Sequence, residues 1–177
     1  MKLIAISDTH LKDAAFPQDL MEIIKDCDMV VHAGDFTSIN CYKTLSSAVK
    51  LKAVYGNSDD DELKKLLPEK LKFEVGGVSI GVVHQGSLSI TNKTALRYLA
   101  LEMGVNVLIF GHLHRPLIDK SNVMLVCPGS PTSPRMADPT VVEMVIENGS
   151  VNGRIIEVKG KSCDYLAFSR SLGKNLD

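Results

Sequence analysis

Apolar residues recur along this chain in short runs, and polar, glycine-bearing turns separate them. Lys2 to Ser7 contains Leu3-Ile4-Ala5-Ile6 and predicts a strand buried on both faces. Pro17 to Lys25 predicts a helix, with Pro17 suited to its first turn and Leu20, Ile23 and Ile24 on one apolar face. Met29 to His32 is the next strand and runs into Gly34-Asp35. A helix over Ile39 to Val49 and a strand over Lys52 to Tyr55 follow, the latter ending at Gly56-Asn57. Ser58 is expected to cap a helix from Asp59 to Leu67, with Asp59, Asp60 and Asp61 facing solvent near its positive end and, for Asp59, a place behind the site residues as the lesser alternative. Three rounds of strand, turn and helix imply parallel βαβ units with right-handed crossovers.

The second half changes character. Lys70 to Val75 and Val78 to His84 flank Gly76-Gly77, a hairpin signal. Lys93 to Met103 reads as a helix with Leu96, Leu99 and Ala100 on one face, and Asn106 to Phe110 as a buried strand ending at Gly111-His112. Strands then dominate: Leu117 to Asp119, Val123 to Cys127, Val141 to Glu147 and Val151 to Lys159, with Asn148-Gly149 turning the last pair. A parallel first part and an antiparallel last part are both satisfied by an α/β fold of two mixed sheets packed together, with helices outside. Residues 1–159 form the expected domain. Residues 160–177 form a C-terminal extension, either a short helix carrying Tyr165, Leu166, Phe168 and Leu172 or a loose tail.

Composition narrows the class. The chain has 177 residues, 45% of them hydrophobic, and suits one domain that buries roughly two thirds of its unfolded surface. No apolar stretch approaches the roughly 20 residues of a membrane span. Met1-Lys2 leads straight into a strand, which leaves no room for a signal peptide, so a cytoplasmic protein is expected. Cys27, Cys41, Cys127 and Cys163 make no C-x-x-C pair and read as free thiols, with Cys27 and Cys127 as small buried hydrophobes. A net charge of -1 with no basic stripe argues against extended nucleic-acid binding.

The candidate chemistry lies at the strand ends. Asp8-Thr9-His10, Gly34-Asp35, Gly56-Asn57, His84 and Gly111-His112-Leu113-His114 supply two Asp, one Asn and four of the chain's five His. Ligands of open α/β sheets bind outside the carboxyl ends of strands, where all of these fall. Glycine before Asp35, Asn57 and His112 would let the chain turn sharply. In an extended backbone Asp8 with His10, and His112 with His114, would point to the same side. Carboxylate, amide oxygen and imidazole without thiolate suit manganese, iron, cobalt, nickel or zinc. His32, left out of the set, reads as structural. Arg135 is assigned with equal weight to a substrate phosphate or to the surface.

These five motifs, in this order, resemble the calcineurin-like metallophosphoesterase superfamily. Chain length and the Cys127-Pro128-Gly129-Ser130 run are similar to its small stand-alone phosphodiesterase branch. The resemblance spans about residues 2–158. It implies a four-layer α/β/β/α sandwich and two divalent metal ions, manganese first and nickel, iron, cobalt or zinc as alternatives. Asp8, His10 and His114 would bind the first metal and Asn57, His84 and His112 the second, with Asp35 bridging; Asn57, His84 and His112 would also be catalytic. The implied reaction is hydrolysis of a small phosphate diester by in-line attack of a metal-bridging hydroxide. A phosphomonoesterase is the enzymatic alternative. A protein-binding scaffold is the other, since a retromer subunit resembles the family yet has lost part of the metal site; here every ligand position is filled. A homodimer is compatible with the pattern. Two departures stand out. Ser58-Asp59 follows Asn57 where many members have a His that protonates the leaving group, which leaves Asp59, another residue or water for that task. Gln85 separates His84 from Gly86. Specificity is expected in loops 86–91 and 130–139.

Overall fold

The computed structural model describes residues 1–12, 15–84 and 93–173. The elements run β1 (Lys2–Ile6), α1 (Gln18–Lys25), β2 (Met29–Ala33), α2 (Ile39–Ala48), β3 (Leu51–Val54), α3 (Asp61–Leu66), β4 (Lys70–Val75), β5 (Val78–Val83), α4 (Lys93–Met103), β6 (Val107–Phe110), β7 (Pro116–Lys120), β8 (Met124–Pro128), β9 (Thr140–Glu147), β10 (Ser150–Glu157) and α5 (Asp164–Gly173). One five-stranded sheet has the order β10-β9-β1-β2-β3 and the other β4-β5-β6-β8-β7. Each is mixed. In the first, β1, β2 and β3 are parallel and β9 joins β1 antiparallel. In the second, β5, β6 and β8 are parallel, while β4 and β7 are antiparallel edges.

Strand alternation builds the layers. Leu3 and Ala5 of β1, Val31 of β2, Ile80 and Val82 of β5 and Ile109 of β6 meet between the sheets. Their neighbours point outward: Ile4 and Ile6 pack against Leu20, Ile24 and Leu45 of α1 and α2. On the far side Leu108 and Phe110 pack against Leu96, Leu99 and Ala100 of α4. The result is the four-layer α/β/β/α sandwich. Each fully buried Leu, Ile or Phe stabilises it by about 1.5–3 kcal/mol, so the frame is strong enough to hold polar loops at its end.

Two details of the predicted elements are corrected. α3 starts at Asp61 with Asp60, not Ser58, as its cap; Asp60 Oδ1 accepts the Leu63 N–H at 2.8 Å. Asp59 does not face solvent but is 3% exposed. In α5, Tyr165, Phe168 and Leu172 turn to solvent, and polar contacts attach the helix: Arg170 grips Asp138 with two bonds of 2.8 Å. The Gln85-Gly86 turn and the loop over 86–91 lie outside the described residues. None of the described helices is long and apolar enough to cross a membrane.

Candidate metal centre

Because β1, β2, β3, β5 and β6 run parallel within their sheets, the segments that follow them gather at one end of the sandwich. All seven predicted residues come together there. Asp8 and His10 follow β1, Asp35 follows β2, Asn57 follows β3, His84 follows β5, and His112 and His114 follow β6. Asp8, Asp35 and His114 form a buried floor, and Asn57 is exposed at the mouth.

Ligand atoms of Asp8, His10 and His114 lie within 4.8 Å of one another, and so do those of Asp8, Asp35 and His84. His114 Nε2 is 3.2 Å from both Asp8 Oδ1 and His10 Nε2. Asp35 Oδ2 stands between two rings, 3.5 Å from His10 Nε2 and 3.4 Å from His84 Nε2. Asn57 Oδ1 is 3.0 Å from both His84 Nε2 and His112 Nδ1.

The proton positions on two rings follow from their partners. His84 Nδ1 lies 2.7 Å from Ala33 O, and His114 Nδ1 lies 2.5 Å from Ser133 O. A carbonyl oxygen only accepts, so each Nδ1 donates. The neutral His114 ring then keeps a bare lone pair on Nε2 that faces the Asp8 carboxylate, acceptor against acceptor, whereas His84, whose pKa is raised, holds a second proton on Nε2 toward Asp35. A divalent cation removes the conflict, and the donor set of carboxylate, amide and imidazole fits one.

Charge in the pocket is finely balanced. Burial pushes the Asp8 carboxyl up to about 6, against the lowering effect of Ser7 and the His112 N–H. Burial also works to raise Asp35, but hydrogen bonds from His84 and Ser58 outweigh it and hold that carboxyl well below its usual range. Desolvation pulls His84 down, yet Asp35 and Asp8 raise it overall. Burial takes His114 down to about 4 and also lowers His10 and His112, leaving three imidazoles neutral near pH 7.

The backbone here is unusual. Asp8 (φ 55°), His10 (44°), Asp35 (62°), Thr37 (87°), His112 (72°) and His114 (52°) all occupy the left-handed region. The two i, i+2 pairs therefore do not share the pocket through extended backbone, as their spacing suggested, but through repeated left-handed turns. Of the three glycines, only Gly34 (φ 87°) turns with positive φ. Gly56 and Gly111 matter for close approach instead: a Cβ on Gly56 would strike the Asp35 carboxylate, and one on Gly111 the Ser7 hydroxyl and His84 ring.

Several supporting residues were not singled out by the sequence, and Asp59 only as a lesser alternative to a solvated face. Ser58 donates to both Asp35 oxygens, from N at 2.8 Å and from Oγ at 3.0 Å. Asp59 accepts the backbone N–H of Asp35 (3.1 Å), Gly56 (2.8 Å) and Thr37 (2.7 Å). The signal was two acids in a row before α3, of which only one can cap it. Ser130 Oγ donates to Asp8 O at 2.7 Å. His32 is fully buried and structural: its Nδ1 accepts the Gly34 N–H at 3.1 Å, so its Nε2–H donates to Thr9 Oγ1 at 3.2 Å, and its ring stacks on Phe36.

A sandwich of this topology with such a pocket defines a metallophosphoesterase, and the comparisons agree. The Calcineurin-like phosphoesterase superfamily domain matches residues 1–149, and the chain belongs to that superfamily. A probable metallophosphoesterase of Methanothermobacter thermautotrophicus is 34% identical over 173 residues, covering 96% of this chain and 100% of that protein. Another, from Methanocaldococcus jannaschii, is 37% identical over 152 residues, covering 84% of this chain and 77% of its own length. Among solved structures, a single mutant of Vps29 from Entamoeba histolytica aligns with a TM-score of 0.73 at 22% identity, over 90% of this chain and 100% of that one, a likeness of fold.

Proposed function

We propose that this protein is a phosphodiesterase that works with two divalent cations, manganese foremost, on small phosphate diesters. Asp8, His10 and His114 hold one cation and Asn57, His84 and His112 the other, with Asp35 between them. The observation that carries this reading is Asp35 Oδ2, flanked by His10 Nε2 and His84 Nε2 at 3.5 and 3.4 Å. One carboxylate oxygen lies within reach of a nitrogen from each set. Cations bound there lower the pKa of water to about 7 and neutralise charge on phosphoryl oxygens.

The protein's own groups do the rest. Ser58 and Asp59 fix Asp35 from two sides, and the His112 N–H aims the Asp8 carboxylate at 2.9 Å. Exposed at the mouth, Asn57 can also meet a phosphoryl oxygen. Asp59 is not the leaving-group acid, since its oxygens are buried and occupied by three N–H groups. The departing oxygen takes its proton from water.

The test is metal content and turnover of protein reloaded with manganese. Two ions per chain and faster hydrolysis of bis-(p-nitrophenyl) phosphate than of p-nitrophenyl phosphate are expected. Much faster monoester turnover with every metal would make it a monoesterase. Fewer than one ion per chain would leave the scaffold reading in front.

A further inference from the structure

The segment after β8 folds back over the pocket and grips His114 twice. Ser133 O accepts its ring proton, and the Arg135 N–H donates to its carbonyl at 3.1 Å. That places the Arg135 backbone against the loop that carries His112 and His114. The C-terminal extension braces the same segment from behind: the Met136 N–H donates to Cys163 Sγ at 3.1 Å, Ser162 Oγ donates to Asp138 Oδ1 at 2.7 Å, and Arg170 holds Asp138 from α5. A surface arginine on so fixed a backbone has a defined position to offer a ligand.

The Arg135 side chain is exposed and uncommitted. Arg97, Arg154 and Arg170 each engage a carboxylate: Asp119, Glu143 and Asp138. Arg115 and Arg135 engage none among the described residues. The two differ in setting: Arg135 lies on the segment that folds back onto His114, whereas Arg115 leads directly into the edge strand β7.

We propose that Arg135 is the anion-binding residue of the pocket mouth, its guanidinium taking a non-bridging oxygen of the substrate phosphoryl group. This rests on the phosphoesterase reading. A diester keeps a negative charge that the cations beneath meet from one side only. The planar guanidinium fork can bond two phosphate oxygens at once and stays charged at every working pH.

The experiment titrates inorganic phosphate into the manganese-loaded full-length chain by calorimetry, for wild type, Arg135→Ala, Arg135→Lys and Arg115→Ala. Arg135→Ala should weaken phosphate binding about tenfold or more, with manganese content unchanged. Arg135→Lys should fall between it and wild type, and Arg115→Ala should stay within about twofold of wild type. With the diester substrate, Arg135→Ala should raise KM more than it lowers kcat. The proposal is overturned if Arg135→Ala binds phosphate like wild type, if Arg115→Ala weakens it equally, or if wild type binds none. Phosphate binding with no diester turnover would refute the phosphodiesterase and leave Arg135 in place.

Discussion

Asp59 holds two loops in register with one carboxylate. Removing it leaves the N–H groups of Asp35, Gly56 and Thr37 without an acceptor in a buried place, at about 1–3 kcal/mol each. Asp59→Ala should therefore melt at a lower temperature, and its manganese affinity in calorimetry should fall about 10–100-fold, the usual effect of losing a group that orients ligands. The ligand variants should behave differently. Asp35→Asn and His112→Ala should lose turnover while circular dichroism shows an intact fold; near wild-type turnover by metal-saturated His112→Ala would contradict the assignment. The proposed ligand residues could be picked out because each sits in a short motif at the end of an apolar run. Asp59 stood out only as a lesser alternative. An acid beside a helix start looks like a capping residue until the three N–H groups it faces are known, and two of those come from a loop well upstream, after β2.

At the scale of elements, strands and helices could be read from periodicity nearly to their ends, because each buries a face whose spacing is local. Sheet order could not. β1 lies between β2 and β9, whose pairing joins Leu3 to Met144 across most of the chain. The connections themselves carry their own prediction. Gly56 leaves no room for a Cβ beside the Asp35 carboxylate. Gly56→Ala should push that carboxylate away and weaken manganese binding by about tenfold, measured by the same titration, while β3 and α3 persist. Unchanged affinity would mean that the Asp35 carboxylate can be displaced without harm. α5 makes the opposite case. Its apolar residues face outward and its ties are surface ion pairs, which contribute about 0–1 kcal/mol each. We propose that residues 1–159 fold alone; a chain ending there should keep its circular dichroism spectrum and melt cooperatively within a few degrees of the full chain.

For the molecule as a whole, proton and cation compete for one pocket. Without metal, His84 has a raised pKa and Asp8 one of about 6, so both still bind protons at mildly acid pH. A cation must displace those protons. Manganese affinity should rise with pH from about 6 upward, by up to tenfold per unit for each proton lost, and level off only once both groups are deprotonated. Calorimetry in buffers of different ionisation enthalpy counts the released protons; a flat profile across that range would refute the coupling.

Six left-handed, side-chain-bearing positions surround the pocket, each costing of order 1 kcal/mol or more. Only the sandwich behind them and the contacts between the loops keep them so. When a chelator strips the protein, amides at residues 8–10, 35–37 and 112–114 should exchange with deuterium together and far sooner than those of β1 and β6, since the His10 N–H bonds to Asp35 O and the His112 N–H to the Asp8 carboxylate, tying the loops into one opening unit. Refilling with manganese should slow all three at once, so the timing of exchange would read occupancy without any substrate present.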